Sequence, residues 1–493
     1  MKDLPLRIYR ASQVRELDRL AIEEHGIPGY TLMYRAGEAA LALLRKRWPA
    51  ARRILVLCGA GNNAGDGYVL ARLAQAERMH VMVVALFDPA KLQGDARIAW
   101  DTFHAAGGQV MDWDERLLEG AEVIVDAILG TGLTRPINGR SADLVHAVNR
   151  SGRPVLALDI PTGLCADTGI PLGAAIRADA TITFVGLKLG LYLGEGLEHA
   201  GEVHFDDLGV STVLGDGHPS AGRRIDHELL RRLLPRRRRT AHKGEHGHLL
   251  CVGGGPGMPG AIRLAAEAAL RTGAGLVTVA THPDHVDVVA GARAELICHG
   301  IRQPGDLAPL CAACDVIAVG PGLGRDAWAQ GLFEVAQASN RPMIVDADAL
   351  NLLAAQPRRR DDWVLTPHPG EAGRLLRLET SSVQQERLVS VGKLLERYGG
   401  VIVLKGAGTL VGHVGDVPSI CDHGNPGMAA PGMGDVLTGV IAGIAAQTRN
   451  LFDSACAGVL VHALAGDDAA RSGERGMIAS DLFPHVRKWV NLH

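Results

Sequence analysis

The sequence predicts an α/β protein of two domains, and three observations carry that reading. Short runs of Val, Ile and Leu recur between longer stretches rich in alanine and leucine, the alternation that builds parallel sheets covered by helices. Aromatic residues make up only 4% of the chain while glycines number 62, which suits alanine-rich helices and many tight turns. The 493 residues also exceed the roughly 250 to 300 that one hydrophobic core spans.

The N-terminal block, assigned to residues 1–215, opens with two helical periodicities. Residues 12–24 place Val14, Leu17 and Ala21 on one face, and residues 31–48 do so with Leu32, Ala36, Ala39 and Leu43. Ser12 and Thr31 supply candidate capping hydroxyls near the two starts. Strands are expected at 54–58, 80–86, 123–127, 155–159 and 181–185, apolar runs bounded by Gly, Pro or Asp as in a sheet buried on both faces. A doubly wound, Rossmann-like domain follows.

The boundary falls near residues 209–243, where the turn-rich run Gly215-Asp216-Gly217-His218-Pro219 precedes Arg236-Arg237-Arg238-Arg239. The arginines read as solvated surface, not as a nucleic-acid site, in a chain of formal net charge −3. The C-terminal block, 225–493, is expected to hold strands at 248–252, 276–280, 316–319, 343–345, 363–365 and 401–404, with helices such as 261–272 and 435–446.

Composition excludes several classes. The charge balance gives no general attraction to nucleic acid or an anionic membrane, so any anion must be held locally. The first seven residues are too polar for a signal peptide, and no apolar stretch approaches the roughly 18 residues that span a bilayer. Eight cysteines are scattered, mostly through apolar runs, and Cys311-Ala312-Ala313-Cys314 lacks thioredoxin context. A cytoplasmic protein without disulfides is expected. The trio His242, His246 and His248 resembles metal spacing but is broken by Lys243 and Gly247, and no metal is assigned to it.

Chemistry concentrates in a few turns. Gly432-Met433-Gly434-Asp435 bares backbone N–H groups at a helix start and adds a carboxylate, as phosphate handling beside a hydroxyl requires. After the first strand comes Gly59-Ala60-Gly61-Asn62-Asn63-Ala64-Gly65-Asp66-Gly67, which imitates a dinucleotide turn but substitutes amides and a carboxylate for bare backbone. Asp126, Gly130-Thr131-Gly132-Leu133-Thr134-Arg135-Pro136 and Asp159-Ile160-Pro161-Thr162-Gly163 follow other strands, and such loops converge at one end of a doubly wound sheet. Asn63, Asp126 and Thr162 offer hard oxygen donors that suit an alkali cation better than zinc.

Together, Gly61-Asn62-Asn63, Gly65-Asp66-Gly67, Gly130-Thr131-Gly132 and Asp159-Ile160-Pro161-Thr162-Gly163 resemble the NAD(P)H-hydrate epimerase domain. His242-Lys243-Gly244, Gly320-Pro321-Gly322-Leu323-Gly324, Asp346-Ala347-Asp348, Thr366-Pro367-His368-Pro369-Gly370-Glu371, Lys405-Gly406-Ala407-Gly408-Thr409 and Gly434-Asp435 resemble the ADP-dependent NAD(P)H-hydrate dehydratase, a ribokinase-like domain. The resemblance spans nearly the whole chain. It implies epimerisation of hydrated NADH or NADPH in the first domain, with Asp159 transferring the proton. Asn62, Asn63, Ala64, Gly65 and Asp66, with residues 130–136 and Asp159, would hold the substrate, and potassium would sit on Asn63, Asp126 and Thr162.

In the second domain it implies that Asp435 activates the hydrate's hydroxyl toward ADP. Lys405, Gly406, Ala407, Gly408, Thr409 and Gly434 would bind the nucleotide, and Ala261, Gly324, His368 and Asp435 the hydrate. Mg²⁺ is the expected companion of the phosphates. A homo-oligomer is expected, with neither nucleic acid nor membrane as partner. Two departures stand out: Ala64 occupies a position where the family has glycine, so its φ must be negative or the pocket must yield, and Pro431 removes one N–H before Gly432. The residues alone also admit a small-molecule kinase fused to a non-catalytic ligand-binding domain, or an NAD-dependent dehydrogenase.

Overall fold

The computed structural model describes residues 4–133, 135–214 and 217–492. The chain divides into two compact units, residues 1–222 and 223–493.

In the N-terminal unit seven strands form one sheet, in spatial order Val110–Met111, His80–Ala85, Arg53–Cys58, Val123–Ala127, Val155–Leu158, Ala180–Phe184 and Glu202–Asp206. All neighbours are parallel. The order reverses after the strand Arg53–Cys58, placing Cys58 and Ala127 side by side at the carboxyl ends where ligand crevices form. Successive side chains alternate faces: Ile54, Val56 and Cys58 join Leu44, Tyr68 and Leu70 in one apolar cluster, while Leu55 and Leu57 join Leu144, Val148 and Ile176 in another. Both faces are therefore buried. Two edge strands were not foreseen, because Val110–Met111 is two exposed residues and Glu202–Asp206 alternates charged with apolar residues at partial burial.

The opening helices run over Ala11–Glu23 and Gly29–Arg47 and bury the expected faces. Their caps differ from expectation. Arg10 and Pro28 hold the N-cap positions, so Ser12 and Thr31 lie inside the helices; at the first start the Gln13 side chain instead accepts from the Arg10 N–H at 2.9 Å.

In the C-terminal unit the sheet runs Ile297–Gly300, Leu276–Thr281, His248–Val252, Val316–Val319, Met343–Val345, Trp363–Leu365 and Val401–Leu404, then antiparallel Thr409–His413 and Ser419–Cys421, and finally Gly222–Arg224. The last three were not foreseen in sequence, nor was the edge strand Ile297–Gly300, which is largely exposed. Helices Pro259–Thr272, Met433–Thr448 and Leu451–Ala470 cover one face, where Val436, Val440 and Ile444 pack with Leu249, Cys251 and Ile262. Gly439 and Gly443 let the first two touch backbone to backbone, since a methyl at Gly439 would stand 2.0 Å from the Ala265 carbonyl oxygen.

The arginine run has a structural role at helix ends. The Arg237 guanidinium donates to the carbonyl of Gly273, the C-cap of Pro259–Thr272, and to Gln447 at 2.7 Å near the end of Met433–Thr448. Cations belong at such carboxyl ends. Cys311 and Cys314 are buried, and burial pushes their thiols up to about 11 and about 12, away from redox reactivity. Among the described residues no helix is long and apolar enough to cross a membrane.

Candidate functional site

At the carboxyl ends of the N-terminal sheet lies a cavity of about 510 Å³, lined among others by Asp18, Asn62, Asn63, Asp66, Gly130, Thr131, Gly132, Asp159 and Lys188. Asp159 follows the strand Val155–Leu158 in the left-handed region, φ +66°, a conformation that Asp tolerates better than most L residues, and its N–H donates to the Ile182 carbonyl at 2.7 Å. Its carboxylate is ion-paired to Lys188, whose side chain is only 1% exposed. Burial raises the affinity of Asp18 and Asp66 for a proton, Asp18 up to about 6, and the negative charge of Asp159 adds to it in both.

Asp126 is wholly buried beneath this cavity's loops. Its carboxylate accepts from the Thr162 hydroxyl at 2.6 Å, the Thr162 N–H at 2.7 Å and the Ile128 N–H at 3.2 Å. Burial still pushes it up to about 6, against those hydrogen bonds. Thr162 Oγ1 in turn accepts from the Leu129 N–H at 3.0 Å, fixing the loop before Gly130. Among the described residues both polar atoms of the buried Asn63 amide are without a hydrogen-bond partner, and Asn63 borders Gly130, where an added methyl would stand 3.5 Å away. A buried carboxyl with no counter-charge, and an amide with no partner, both among the described residues, are donors of the hard-oxygen kind that fits a monovalent cation.

Several residues of the expected substrate site do not line this cavity. Ala64 and Gly65 are buried in the helix Asn62–Ala76, and a side chain on Gly65 would strike Met33 at 2.5 Å. They serve helix packing, and Ala64 has ordinary helical geometry, so its methyl costs no backbone strain. Leu133 packs into the core on the other sheet face, Arg135 and Pro136 are exposed and do not line the cavity, and Thr134 lies outside the described residues.

In the C-terminal unit Gly432 sits at φ +86° as N-cap of Met433–Thr448, a left-handed start that glycine alone adopts freely. Asp435, half-buried in the first turn, has no hydrogen-bond partner among the described residues. Burial, then the charge of Asp346, pushes its carboxyl up to about 7, against the opposing pull of Lys405. Lys405 is held elsewhere: Nζ lies 2.8 Å from Asp346 Oδ1 and 3.6 Å from Glu371. Asp346 Oδ2 accepts from Thr438 at 2.7 Å. A methyl at Gly434 would stand 3.4 Å from Lys405 Nζ, so the second helical residue must be small to admit the ammonium.

His368 caps the helix Pro369–Leu376, Nδ1 accepting from the Gly370 N–H at 3.0 Å. Burial, then the charge of Lys405, lowers the affinity of its imidazole for a proton. Gly324 donates its N–H to Asp348 at 2.9 Å. Ala261 opens the helix Pro259–Thr272 beside Gly322, within 3.1 Å of where a methyl there would lie. Lys405 and Gly406 form the turn after Val401–Leu404, whereas Thr409 already begins the next strand, its hydroxyl donating to the Gly406 carbonyl at 2.8 Å.

Sequence reasoning missed Lys188, Asp18, Asp346, Glu371 and Arg387 as site-forming residues. Arg387 is buried and donates to the carbonyls of Leu404 and Gly408 at 3.2 Å each, holding the ends of the Lys405–Gly408 turn. Asp346 and Glu371 stood within motifs already singled out. Lys188 gave a subtler sign, a lone cation closing an apolar run, and Arg387 gave none.

Comparison with known proteins finds a separate match for most of each unit. Residues 249–488 match the family model described as NAD(P)H-hydrate dehydratase, and residues 29–190 match the YjeF-related protein N-terminus. A bifunctional NAD(P)H-hydrate repair enzyme of Coxiella burnetii is 47% identical over 98% of this chain and 99% of its own, and one of Escherichia coli is 44% identical over 99% and 95%. A ribokinase-like superfamily protein of Enterococcus faecalis, 29% identical, superimposes with a TM-score of 0.52 over 56% of this chain and 97% of its own. By its sequence along nearly its whole length and by its C-terminal fold, this chain belongs to the family of bifunctional NAD(P)H-hydrate repair enzymes.

Proposed function

We propose that the N-terminal unit interconverts the R and S forms of hydrated NADH or NADPH, and that the C-terminal unit dehydrates the S form with ADP. The observation that carries this reading is Asp435: an acid at a glycine-opened helix start, without a hydrogen-bond partner among the described residues and pushed up to about 7, beside a lysine. A base of that affinity takes a hydroxyl proton near neutral pH. The substrate oxygen then attacks the terminal phosphorus of ADP, and AMP leaves. Helix N–H groups and Lys405 would stabilise the developing charge.

The hydroxyl has thereby become a phosphate ester. The ring nitrogen's lone pair expels phosphate to give an iminium, and loss of a proton from the adjacent ring carbon restores the dihydronicotinamide. Lys405 to Thr409 and Gly434 would bind the nucleotide, and Mg²⁺ bound with it would supply positive charge to its phosphates. Ala261, Gly324 and His368 would contact the hydrate.

In the N-terminal unit Asp159 would exchange a proton with the departing and returning hydroxyl through the same kind of iminium. Asn62, Asn63, Asp66, Gly130, Thr131 and Gly132 would enclose the nicotinamide portion. Potassium held by Asn63, Asp126 and Thr162 would supply the counter-charge that no described residue gives buried Asp126 and would order the loop to Gly130. The eight cysteines are free thiols, which suits a reducing compartment such as the cytoplasm.

One experiment separates the two activities. A mixture of both epimers is incubated with ADP while dihydronicotinamide absorbance is followed. Asp159→Asn is expected to convert the S portion and then stall, whereas Asp435→Asn recovers almost nothing. Recovery at the wild-type rate by Asp435→Asn, or accumulation of a stable phosphorylated alcohol, would refute the proposal.

A further inference from the structure

Asp159 is gripped on one side only. Lys188 closes the strand Leu187–Lys188 with a side chain 1% exposed. An ammonium has three protons to give, and all three have protein acceptors: Asp159 Oδ1, Thr183 Oγ1 at 3.0 Å and the Phe184 carbonyl at 2.8 Å. None is left for a ligand. The other carboxylate oxygen, Oδ2, lies by the loop at Gly130, where an added methyl would stand 3.3 Å from it. The carboxylate is thus divided into an anchored oxygen and a presented one.

The surroundings make the anchor necessary. The cavity also carries Asp18 and Asp66, which repel Asp159 when ionised, and the neighbouring strand reaches the same Oδ1 only with long contacts, from the Thr183 hydroxyl and the Phe184 N–H at 3.5 Å each. We propose that Lys188 is the positioning residue of the epimerase, seating Asp159 Oδ1 so that Oδ2 is the oxygen that exchanges the proton with the substrate hydroxyl. The inference rests on the role of Asp159 given above. Lys188 makes no substrate contact in it, so its removal is expected to affect turnover and not binding, since misaiming a reacting group by about 1 Å costs on the order of 100-fold.

The test uses the full chain and hydrated NADH without ADP, so that only epimer exchange is read, by chiral chromatography. Lys188→Met is expected to lower kcat about 100-fold with KM within about 3-fold of wild type, while an unchanged thermal melt of the full chain shows that the N-terminal unit is folded. A kcat within about 2-fold of wild type, or a loss lying wholly in KM, overturns the inference. Should Lys188→Met not accumulate, Thr183→Val removes one seat of the ammonium together with the hydroxyl's long 3.5 Å contact to Asp159 Oδ1; about a 5-fold fall in kcat at constant KM supports the inference, and an unchanged kcat overturns it. Asp159→Asn serves as reference. If it retains exchange, the assignment of Asp159 fails; if it loses exchange while Lys188→Met keeps it, only the role of Lys188 fails.

Discussion

Each unit sets one lysine among several carboxylates, and the two arrangements are opposite. In the N-terminal unit the lysine is bonded to the proposed catalytic acid itself, Lys188 to Asp159. In the C-terminal unit Lys405 is bonded to Asp346 and lies near Glu371, while Asp435 is without such a bond among the described residues. The difference separates two tasks of a buried cation. Bonded to the reacting acid, it fixes where that acid points. Bonded to neighbours, it leaves the reacting acid a costly charge, and the proton affinity of Asp435 rises to about 7.

Removing the second lysine should break this contrast most severely. Lys405→Met leaves Asp346, Glu371 and Asp435 without their shared cation and removes the positive charge proposed to meet the nucleotide. Dehydration is expected to fall about 1000-fold or more, while epimer exchange without ADP continues. A fall of less than about 10-fold, measured by absorbance recovery at saturating ADP, would dissolve the comparison.

Gly130→Ala sharpens the other half. Its methyl would stand 3.3 Å from Asp159 Oδ2 and 3.5 Å from Asn63, occupying the space in front of the presented oxygen. A loss of about 10- to 100-fold in epimer exchange is expected, with dehydration of the S epimer intact.

The smaller effects concern protons. A base must be deprotonated to act, so kcat/KM for dehydration should rise tenfold per pH unit below about pH 7 and level off above it. Because the folded protein raises the affinity of Asp435 for its proton, ionisation costs stability, fully above about pH 7 and not at all below the ordinary value of 3.8. Asp435→Asn should therefore melt about 5 °C higher than wild type at pH 8, with the gain vanishing near pH 4. Equal melting temperatures at pH 8 would mean that the carboxyl is not under charge stress.

Much of the fold was legible because buried parallel strands write themselves as apolar runs: Val123–Ala127, Val316–Val319 and Trp363–Leu365 are buried throughout and read directly from the sequence. The missed strands are those whose pattern is weak. Val110–Met111 is exposed and too short for any period, and Thr409–His413 follows a glycine turn that reads as loop. The helix starts misled for a different reason. Ser12 and Thr31 have capping chemistry, but the chain turns into helix before each of them, at Arg10 and Pro28.

The candidate sites divide the same way. Turns rich in glycine, asparagine and aspartate mark Asn62, Asn63, Gly130, Asp159, Gly432 and Asp435, since few other roles require those residues together. They do not reveal which members face the cavity: the helix beginning at Asn62 turns Ala64 and Gly65 into the core and Asp66 toward the crevice. A helical period assigns faces only once its start and its neighbours are fixed.

By itself the sequence determined the two α/β units and pointed to the loops and the two acids proposed to do chemistry there, because hydrophobic period and turn composition are local properties of the chain. Tertiary structure alone decided which lysine serves which acid. Lys188 and Asp159 are 29 residues apart, and Lys405 reaches Asp346 across 59. Ion pairing depends on distance in space and on the water excluded around it, and neither is written in the order of residues along a chain.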